Sequence, residues 1–275
     1  GRIYVAQPPL YQVKRAKQLE YVLDDRLLNR KLAELGLSGT SLLIRESGKP
    51  DRVVEGDALR KLVNILDSLE AQARVLARRG IQFAELVHKH RDPKRGLPRI
   101  VAYIHRPGDE GSLPERSYLR DEKELNELRE RESRQHGIVQ VTEARHAHLT
   151  DDDKGDGDGE KGVPLHRIVR YELPESATID ELLSGLESFG LSVDDLFLVR
   201  EQLVTGELPP AKFVLKTASQ KHAEPQSEPG AQATGGELME VDNVWAVAAA
   251  VRTLGRKGMQ IKRFKGLGEI NADEL

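Results

Sequence analysis

Cations and glycines lie close together near the carboxyl end of the sequence: Lys262, Arg263, Lys265, Gly266 and Gly268. The cations end an apolar run that predicts a short strand over 259–264, and the glycines predict a tight turn before a helix that starts at 271–274. Glycine lets a backbone take a positive φ and approach a partner closely, and cations ahead of a helix N-terminus suit phosphate groups. The pattern predicts contact with a phosphate backbone; the alternative is a strand and turn with solvated lysines.

The acidic run at 151–160 is another segment that could bind an ion. Counted from Asp156, its carboxylates occupy the first, third and fifth positions of a calcium-binding loop. However, Lys161 stands at the sixth position, where glycine is needed, and Arg167 stands at the twelfth, where glutamate is needed. We therefore predict a solvated loop without calcium.

No other pattern predicts a self-sufficient active site. Two histidine pairs are spaced to share one strand face, His88 with His90 and His146 with His148, but no third ligand lies near either pair. The chain has no cysteine, which excludes thiol catalysis and cysteine-based zinc sites. A nucleophile elbow, a phosphate-binding lysine loop and a dinucleotide fingerprint are all absent. We expect no metal site and no catalytic residue in this sequence.

Composition describes a polar, folded chain with an uneven charge distribution. Of its 275 residues, 38% are hydrophobic and 32% are charged. This length is sufficient for one large domain or two ordinary ones. No run approaches the ~18 apolar residues of a membrane span, so we expect no membrane segment. The net charge is −3, yet residues 1–19 and 243–268 contain no acidic residue. We infer that two basic ends meet at a polyanion.

Hydrophobic periodicity and turn residues predict a mixture of helices and strands. Strands are predicted over 2–6, 10–14, 18–23, 40–45, 98–105, 138–142, 163–173, 196–204 and 212–216. Helices are predicted over 26–35, 56–79, 81–89, 121–135, 178–189 and 238–254. The aspartates at 24 and 25 can cap the first helix, and Gly36 is expected to end it. Residues 220–236 are rich in Pro, Gln, Ser, Gly and Ala and are predicted to be flexible.

The two ends of the chain carry a family resemblance. Gly1-Arg-Ile-Tyr-Val-Ala-Gln-Pro-Pro-Leu-Tyr-Gln-Val-Lys14 resembles the stretch that follows the acidic metal-binding motif in the DNA gyrase B-subunit family of type IIA topoisomerases. Ile261-Lys-Arg-Phe-Lys-Gly-Leu-Gly-Glu-Ile-Asn-Ala-Asp-Glu-Leu275 is similar to the Tyr-Lys-Gly-Leu-Gly-Glu-Met-Asn motif of the same family. Phe264 and Ile270 replace its Tyr and Met, which are mild changes.

The resemblance implies an α+β fold in which both ends belong to one TOPRIM domain. Residues 1–23 and 257–275 would be adjacent in space and form a partial TOPRIM sheet. Residues 24–256 would be a separately folded insertion domain, with flexible loops near 151–160 and 220–236. Compact family members have only a few dozen residues between the two motifs, so this chain resembles the members with a large TOPRIM insertion. We expect a scaffold or interaction role for the insertion.

The resemblance also implies a function for the parent protein. Gyrase is an ATP-dependent enzyme that passes one duplex through a transient break in another and introduces negative supercoils. Mg²⁺ and ATP would be bound by residues outside this sequence. The partners would be DNA, the A subunit of gyrase and the rest of the B subunit, in a tetramer of two A and two B subunits. The location would be the bacterial cytoplasm, in association with the nucleoid.

We expect this sequence alone to be inactive, because the TOPRIM glutamate, the Asp-x-Asp-x-Asp motif and the ATPase domain are not in it. Glu55-Gly-Asp-Ala58 imitates the glutamate motif, but it opens a predicted helix within the insertion. The missing initiator Met and the opening on a strand predict a piece of a longer chain.

The resemblance places the DNA contacts at the two ends of the sequence. The predicted DNA-binding residues are Lys265, Arg263, Lys262, Gly266, Gly268, Lys14 and Lys17. Lys265 and Arg263 are the first candidates for phosphate contacts, and strand alternation puts Lys262 on the opposite face from them. The B subunit of topoisomerase IV shares both end motifs and remains an alternative, as does a non-catalytic module that binds DNA or protein.

Overall fold

The computed structural model describes residues 8–46, 48–106, 113–143, 166–203, 206–218 and 236–266. Their elements are β1 (Tyr11–Arg15), β2 (Gln18–Val22), α1 (Asp25–Leu37), β3 (Thr40–Ile44), β4 (Arg52–Glu55), α2 (Gly56–Arg78), α3 (Phe83–His90), β5 (Ile100–His105), β6 (Glu115–Leu119), α4 (Glu122–His136), β7 (Gln140–Glu143), β8 (Arg167–Glu172), α5 (Glu175–Glu187), β9 (Phe213–Thr217), β10 (Leu238–Val241), α6 (Trp245–Arg256) and β11 (Met259–Arg263). The α+β fold class predicted from the sequence is confirmed, with three sheets in the described part of the chain.

Contacts between residues divide the chain into two compact units. The first comprises residues 1–66 and 194–275, and the second comprises residues 67–193. Helix α2 begins in the first unit and ends in the second. The separate folding predicted for residues 24–256 stays a prediction.

The chain-end sheet consists of β1, β2 and β11, in the order β11-β1-β2, with both pairings antiparallel. Tyr11 lies opposite Arg263, and Arg15 lies opposite Met259. The strands near the two ends of the chain therefore meet, as the family resemblance implied. The identity of this sheet as part of a TOPRIM domain is a proposal.

Helix α1 covers one face of the chain-end sheet. It begins as predicted at an aspartate cap, where the Leu27 N–H donates to the Asp24 side chain at 2.7 Å. Leu28 and Leu32 of the helix pack in one buried cluster with Tyr11, Val13 and Val22 of the sheet. Because these side chains leave water together, α1 and the sheet form one hydrophobic core.

Helix α1 does not end at Gly36, as predicted, but continues to Leu37. Gly36 is buried against α6, where a Cβ would lie 1.9 Å from the Val251 carbonyl oxygen. Gly255 of α6 is equally crowded, with 1.9 Å between its would-be Cβ and the Leu32 carbonyl oxygen. Glycine at these two positions permits close contact between the backbones of α1 and α6. Gly36 is therefore present for helix packing, although the sequence suggested that it ends the helix.

The second sheet of the first unit has the order β10-β9-β3-β4 and is antiparallel throughout. The helix predicted over 238–254 is wrong in its first part, because Leu238–Val241 pairs with the buried strand β9. The helix proper begins at Trp245, after Asn243 accepts the Ala246 N–H at 3.0 Å. Pairing with a buried strand outweighed a helical spacing of apolar residues.

The strand predicted over 196–204 is also wrong in its described part. Residues 194–196 form a 3₁₀ turn, and no strand follows in residues 197–203. A side chain binds a backbone carbonyl group of this segment: Asn243 Nδ2–H donates to the Leu198 carbonyl oxygen at 3.2 Å. The helix predicted from Thr178 begins earlier, at Glu175.

The second unit contains a sheet of order β6-β5-β8-β7, in which only the β7–β8 pair is parallel. Helix α4 covers one face of it, and Leu125 and Leu128 pack against Ile100, Ala102 and Ile104. The predicted long helix is confirmed as α2.

Several predictions fall outside the described residues. They are the strand at 2–6, the loop at 151–160, flexibility over 220–235, the histidine pair at 146 and 148, Gly268 and the helix start at 271–274.

Candidate nucleic-acid interface

The chain-end sheet has one face on α1 and one face directed away from it. Directly opposed residues of neighbouring strands share a face, so Gln12, Lys262 and Tyr21 lie together, and Lys14 lies between Gln260 and Leu19. The packed residues Tyr11 and Val13 occupy the alternate positions. We call the face with Lys14 and Lys262 the outward face.

The outward face carries cations that have no ion pair among the described residues. Lys14 and Lys262 are exposed, and neither has an ion pair with any described residue. Lys17, in the turn between β1 and β2, is likewise exposed and unpaired among those residues. The nearest acid in the hairpin is Glu20, which forms an ion pair with Lys31 of α1. This leaves the positive charge of the face available to an external anion.

An aromatic pair orders the Lys262 side chain. Its ammonium nitrogen lies 5.2 Å from the centre of the Phe264 ring, and Phe264 stacks on Tyr21 at 6.3 Å with 20° between the ring planes. Gln12 donates its Nε2–H to the Tyr21 hydroxyl at 3.0 Å. Sequence reasoning missed Tyr21 and Gln12. Gln12 lies opposite Lys262, and Tyr21 lies opposite Gln12, and this placement requires the register of all three strands.

Arg263 lies on the opposite face from Lys262, as strand alternation predicted. It faces Tyr11 across the strands, and its Cζ lies 5.9 Å from the centre of that ring. The Tyr11 hydroxyl donates to Asp25 at the start of α1. This hydrogen bond, together with burial, raises the pKa of Tyr11 above its usual range. Arg263 is exposed and is the last residue of β11, at the rim of the face that packs on α1.

The residues after β11 continue the cationic segment. Lys265 and Gly266 are both exposed, and a Cβ added at Gly266 would meet no atom within 4 Å. Gly266 does not have the positive φ that its position suggested; the left-handed glycine nearby is Gly258, at φ 73°, in the turn between α6 and β11. Gly268 lies outside the described residues.

The turn between β1 and β2 contains a strained residue. Ala16 has φ 51°, a left-handed conformation that costs a residue with a Cβ about 1–2 kcal/mol. Arg15, Ala16 and Lys17 are all exposed. The sequence gives no signal for this conformation, because glycine, asparagine or aspartate normally occupies such a position.

The second unit places its most buried charges in a structural cluster. Arg106 donates Nε–H and Nη2–H to the two oxygens of Glu132, at 2.9 and 3.0 Å, and donates Nη1–H to Glu115 at 2.7 Å. Glu132 is only 1% exposed, and the Arg106 hydrogen bonds hold its pKa below the usual range. His166 Nε2 lies 3.3 Å from the same carboxylate.

Two other kinds of feature are absent from the described residues. No group of three or more His, Asp or Glu side chains there could hold a metal ion. No helix in the same part of the chain is long and apolar enough to cross a membrane.

Comparison with known proteins gives a distant similarity that runs the whole length of the chain. No protein-family model matches the sequence. The DNA gyrase B subunit of Chlamydia pneumoniae is 24% identical over 275 residues, which are 99% of this chain and 26% of that protein. The gyrase B subunit of Chlamydia muridarum is 25% identical over 275 residues, and that of Rickettsia conorii is 24% identical over 283 residues; each match covers 100% of this chain.

The chain is distantly similar to part of the DNA gyrase B subunit. It spans about a quarter of the length of these relatives. Their alignment covers the segment between the basic ends as well as the ends themselves.

Proposed function

We propose that this chain is a segment of the B subunit of a bacterial DNA gyrase, in which the chain-end sheet belongs to a TOPRIM domain and binds the DNA backbone. The observation that carries the proposal is the outward face, where Lys14 and Lys262 are exposed and have no ion pair with a described residue. Similarity to the gyrase B subunit along the whole chain supports it. The complete enzyme would use ATP to pass one duplex through another and introduce negative supercoils.

Each candidate residue has a role that its position supports. Lys262 and Lys14 would bind phosphates along the outward face, and Lys17 would extend this contact to the hairpin turn. Arg263 and Lys265 would bind phosphates at the rim, where the chain leaves β11. Gly266 has an open side that permits close approach of a backbone, and Gly268 is proposed to do the same.

The chemistry of strand cleavage would be supplied from elsewhere. We propose that other parts of the B subunit bind Mg²⁺ and ATP, and that the A subunit of gyrase is the partner in the bacterial cytoplasm. The part of this chain that the structure describes contains no cluster of three or more side chains suited to a metal ion. Its contribution would be to position DNA near the reaction, with no catalytic residue of its own.

Lys265→Ala in the full-length subunit tests the phosphate assignment at the rim. We expect weaker DNA binding, less cleavage, and a salt dependence of affinity lower by about one unit, because one phosphate contact is lost. Arg30→Ala is the control with the same charge change, because Arg30 of α1 is 76% exposed and pairs with Glu34. Equal affinity, slope and cleavage in the Lys265 variant and the wild type would refute the assignment.

The B subunit of topoisomerase IV and a non-catalytic module are the competing functions. Reconstitution of the full-length protein with its cleavage partner separates them, because gyrase introduces negative supercoils whereas topoisomerase IV mainly decatenates linked circles. A protein that binds DNA but supports neither reaction would favour the module. The relatives reported above are all gyrase subunits, which favours supercoiling.

We also propose a scaffold or interaction role for the inserted segment. Removal of the whole segment 24–256 would be a poor test, because Leu28 and Leu32 of α1 complete the core of the chain-end sheet. Replacement of the second unit, residues 67–193, by a flexible Gly/Ser linker leaves that core in place. We expect the shortened protein to bind DNA but to lose DNA-stimulated ATPase or supercoiling, and full activity would contradict the role.

A further inference from the structure

The two lysines of the outward face have different surroundings. The Lys262 ammonium nitrogen lies 5.2 Å from the centre of the Phe264 ring, whereas no aromatic ring of the described residues lies at such a distance from Lys14. We propose that Tyr21 is a positioning residue for DNA binding, because it supports the Phe264 ring over which Lys262 is held. The inference rests on the proposed function and adds residues that act through Lys262.

Phe264 is fixed by the backbone at the end of β11. Its N–H donates to the Leu10 carbonyl oxygen at 2.9 Å, so the contact between the two ends of the chain continues beyond Arg263. Strand alternation puts its ring on the same face as Lys262, two residues earlier. The residue is nevertheless only 5% exposed, although α1 packs on the other face of the sheet. Burial keeps the ring in one place beneath the lysine.

Tyr21 is one of the side chains that cover Phe264. The ring centres are 6.3 Å apart, with 20° between the ring planes. Gln12, which lies between Tyr21 and Lys262 in the strand register, donates its Nε2–H to the Tyr21 hydroxyl at 3.0 Å. Each strand of the sheet therefore supplies one member of this arrangement: Gln12 from β1, Tyr21 from β2 and Lys262 from β11.

An ordered lysine binds a phosphate more tightly than a mobile one. The lysine side chain is long and flexible, and fixing it on binding costs free energy. The Phe264 ring attracts the Lys262 ammonium group and removes part of this freedom before DNA binds. The ammonium N–H groups that point away from the ring still donate, so ring and phosphate bind the same group from opposite sides. A cation–π contact at an exposed site corresponds to about two- to fivefold in affinity.

A purely structural role for Tyr21 makes a different prediction. If its ring only stabilised the sheet, its loss would disturb Lys14 and Lys262 together. A positioning role predicts an effect on DNA binding that depends on Lys262 alone. The salt dependence also differs between the two roles, because a less ordered Lys262 still binds its phosphate, and the number of phosphate contacts sets the slope.

The test is a double-mutant cycle in the full-length subunit, with the affinity for a short DNA duplex measured over a range of salt. We expect Tyr21→Val to weaken binding about threefold at every salt concentration and to leave the slope of log affinity against log salt unchanged. Tyr21→Phe retains the ring and should keep most of the affinity. Gln12→Val removes only the hydrogen bond to the hydroxyl, so it should weaken binding less than Tyr21→Val.

The decisive comparison is between two backgrounds. Tyr21→Val should have no further effect in Lys262→Ala, whereas it should have its full threefold effect in Lys14→Ala, the matched control on the same face. An equal effect in both backgrounds, tighter binding, or no effect of Tyr21→Val in the wild type overturns the inference. If denaturant titration shows that Tyr21→Val does not fold, Gln12→Val in the same two backgrounds gives the same comparison.

Failure of this inference differs from failure of the proposed function. If Lys262→Ala lowers both affinity and slope while Tyr21→Val changes neither, the outward face binds DNA and Tyr21 does not position Lys262. If Lys262→Ala itself has the affinity and slope of the wild type, the DNA contact proposed for Lys262 is wrong, and the inference is wrong with it.

Discussion

The outward face of the chain-end sheet and the face of the second unit's sheet that α4 covers, which we call the α4 face, use their cations in opposite ways. On the α4 face, Arg106 donates to two carboxylates, and the more buried of them is 1% exposed. On the outward face of the chain-end sheet, Lys14 and Lys262 have no such partner among the described residues. Strand parity and the element that covers each face separate a cation that stabilises the fold from one that can bind a ligand.

The two sheets are also held to their helices by different forces. The chain-end sheet depends on apolar packing against α1, which in turn packs on α6 through glycine. The α4 face adds a buried ion-pair cluster to its apolar core. The stability of the first unit should therefore depend on side-chain size at the contact between α1 and α6. The stability of the second unit should depend on pH and salt.

Gly255→Ala should have the largest effect, on the stability of the first unit. The new Cβ would lie 1.9 Å from a backbone oxygen of α1 and 2.8 Å from the Gly36 nitrogen, so the two helix backbones must separate. We expect a loss of about 3 kcal/mol or more in the free energy of unfolding, measured by denaturant titration. Ala249→Gly, at an exposed site in the same helix, is the control and should cost about 1 kcal/mol. A loss in Gly255→Ala no larger than that of the control would show that the helices are not in close contact.

Glu132→Gln should have the next largest effect, in the second unit. It removes the charge that binds Arg106 and should cost about 2–3 kcal/mol. The folded-state pKa of Glu132 is depressed, so its stabilisation is present above the unfolded pKa of about 4.3 and is lost as the pH falls through the folded value. The free energy of unfolding, measured from pH 7 down to acidic pH, should therefore depend less on pH in the variant than in the wild type. Glu127→Gln is the control, because Glu127 lies on the same helix and its side chain is 66% exposed, and it should change the free energy of unfolding little. Equal effects of the two variants would show that the cluster around Glu132 does not stabilise the fold.

Ala16→Gly should stabilise the hairpin of the chain-end sheet by about 0.5–1 kcal/mol. Glycine adopts the φ of 51° without strain, although it loses more entropy on folding. The free energy of unfolding of the variant and of the wild type, measured by denaturant titration, tests this prediction. Destabilisation by Ala16→Gly would show that the left-handed turn is not formed.

Lys14→Ala with Lys262→Ala should have the smallest effect on stability, less than about 0.5 kcal/mol, because both residues are exposed and unpaired among the described residues. Thermal and denaturant unfolding check this. A larger loss would mean that these lysines stabilise the fold, which would weaken the contrast with Arg106.

The sequence predicted those parts of the fold that local pattern determines. The Asp24 cap and the long helix α2 are confirmed. The meeting of the two chain ends is also confirmed, but the family resemblance and not local pattern implied it. Long-range contacts explain the failures: Leu238–Val241 became a strand because β9 lies beside it, and Gly36 stayed helical because α6 packs against it. In both cases a partner distant in sequence outweighed the local preference.

The candidate interface was predictable only in part. The cations of the two ends and the opposite faces of Lys262 and Arg263 follow from composition and strand alternation. The sequence pattern does not predict which of the two faces packs on a helix. Leu28 and Leu32 of α1 determine this by packing against one face. The aromatic support of Lys262 by Phe264 and Tyr21 likewise requires the three-strand register.

The salt dependence of DNA binding by the chain tests the central claim most directly. We would measure the affinity for a duplex over a range of salt for the wild type, for Lys14→Ala/Lys262→Ala, and for the charge-matched control Arg30→Ala/Lys49→Ala, whose cations pair with Glu34 and Glu46. If the unpaired lysines bind phosphates, the slope of log affinity against log salt falls by about two units in the first variant and stays at the wild-type value in the control. Equal slopes in all three proteins would contradict the account.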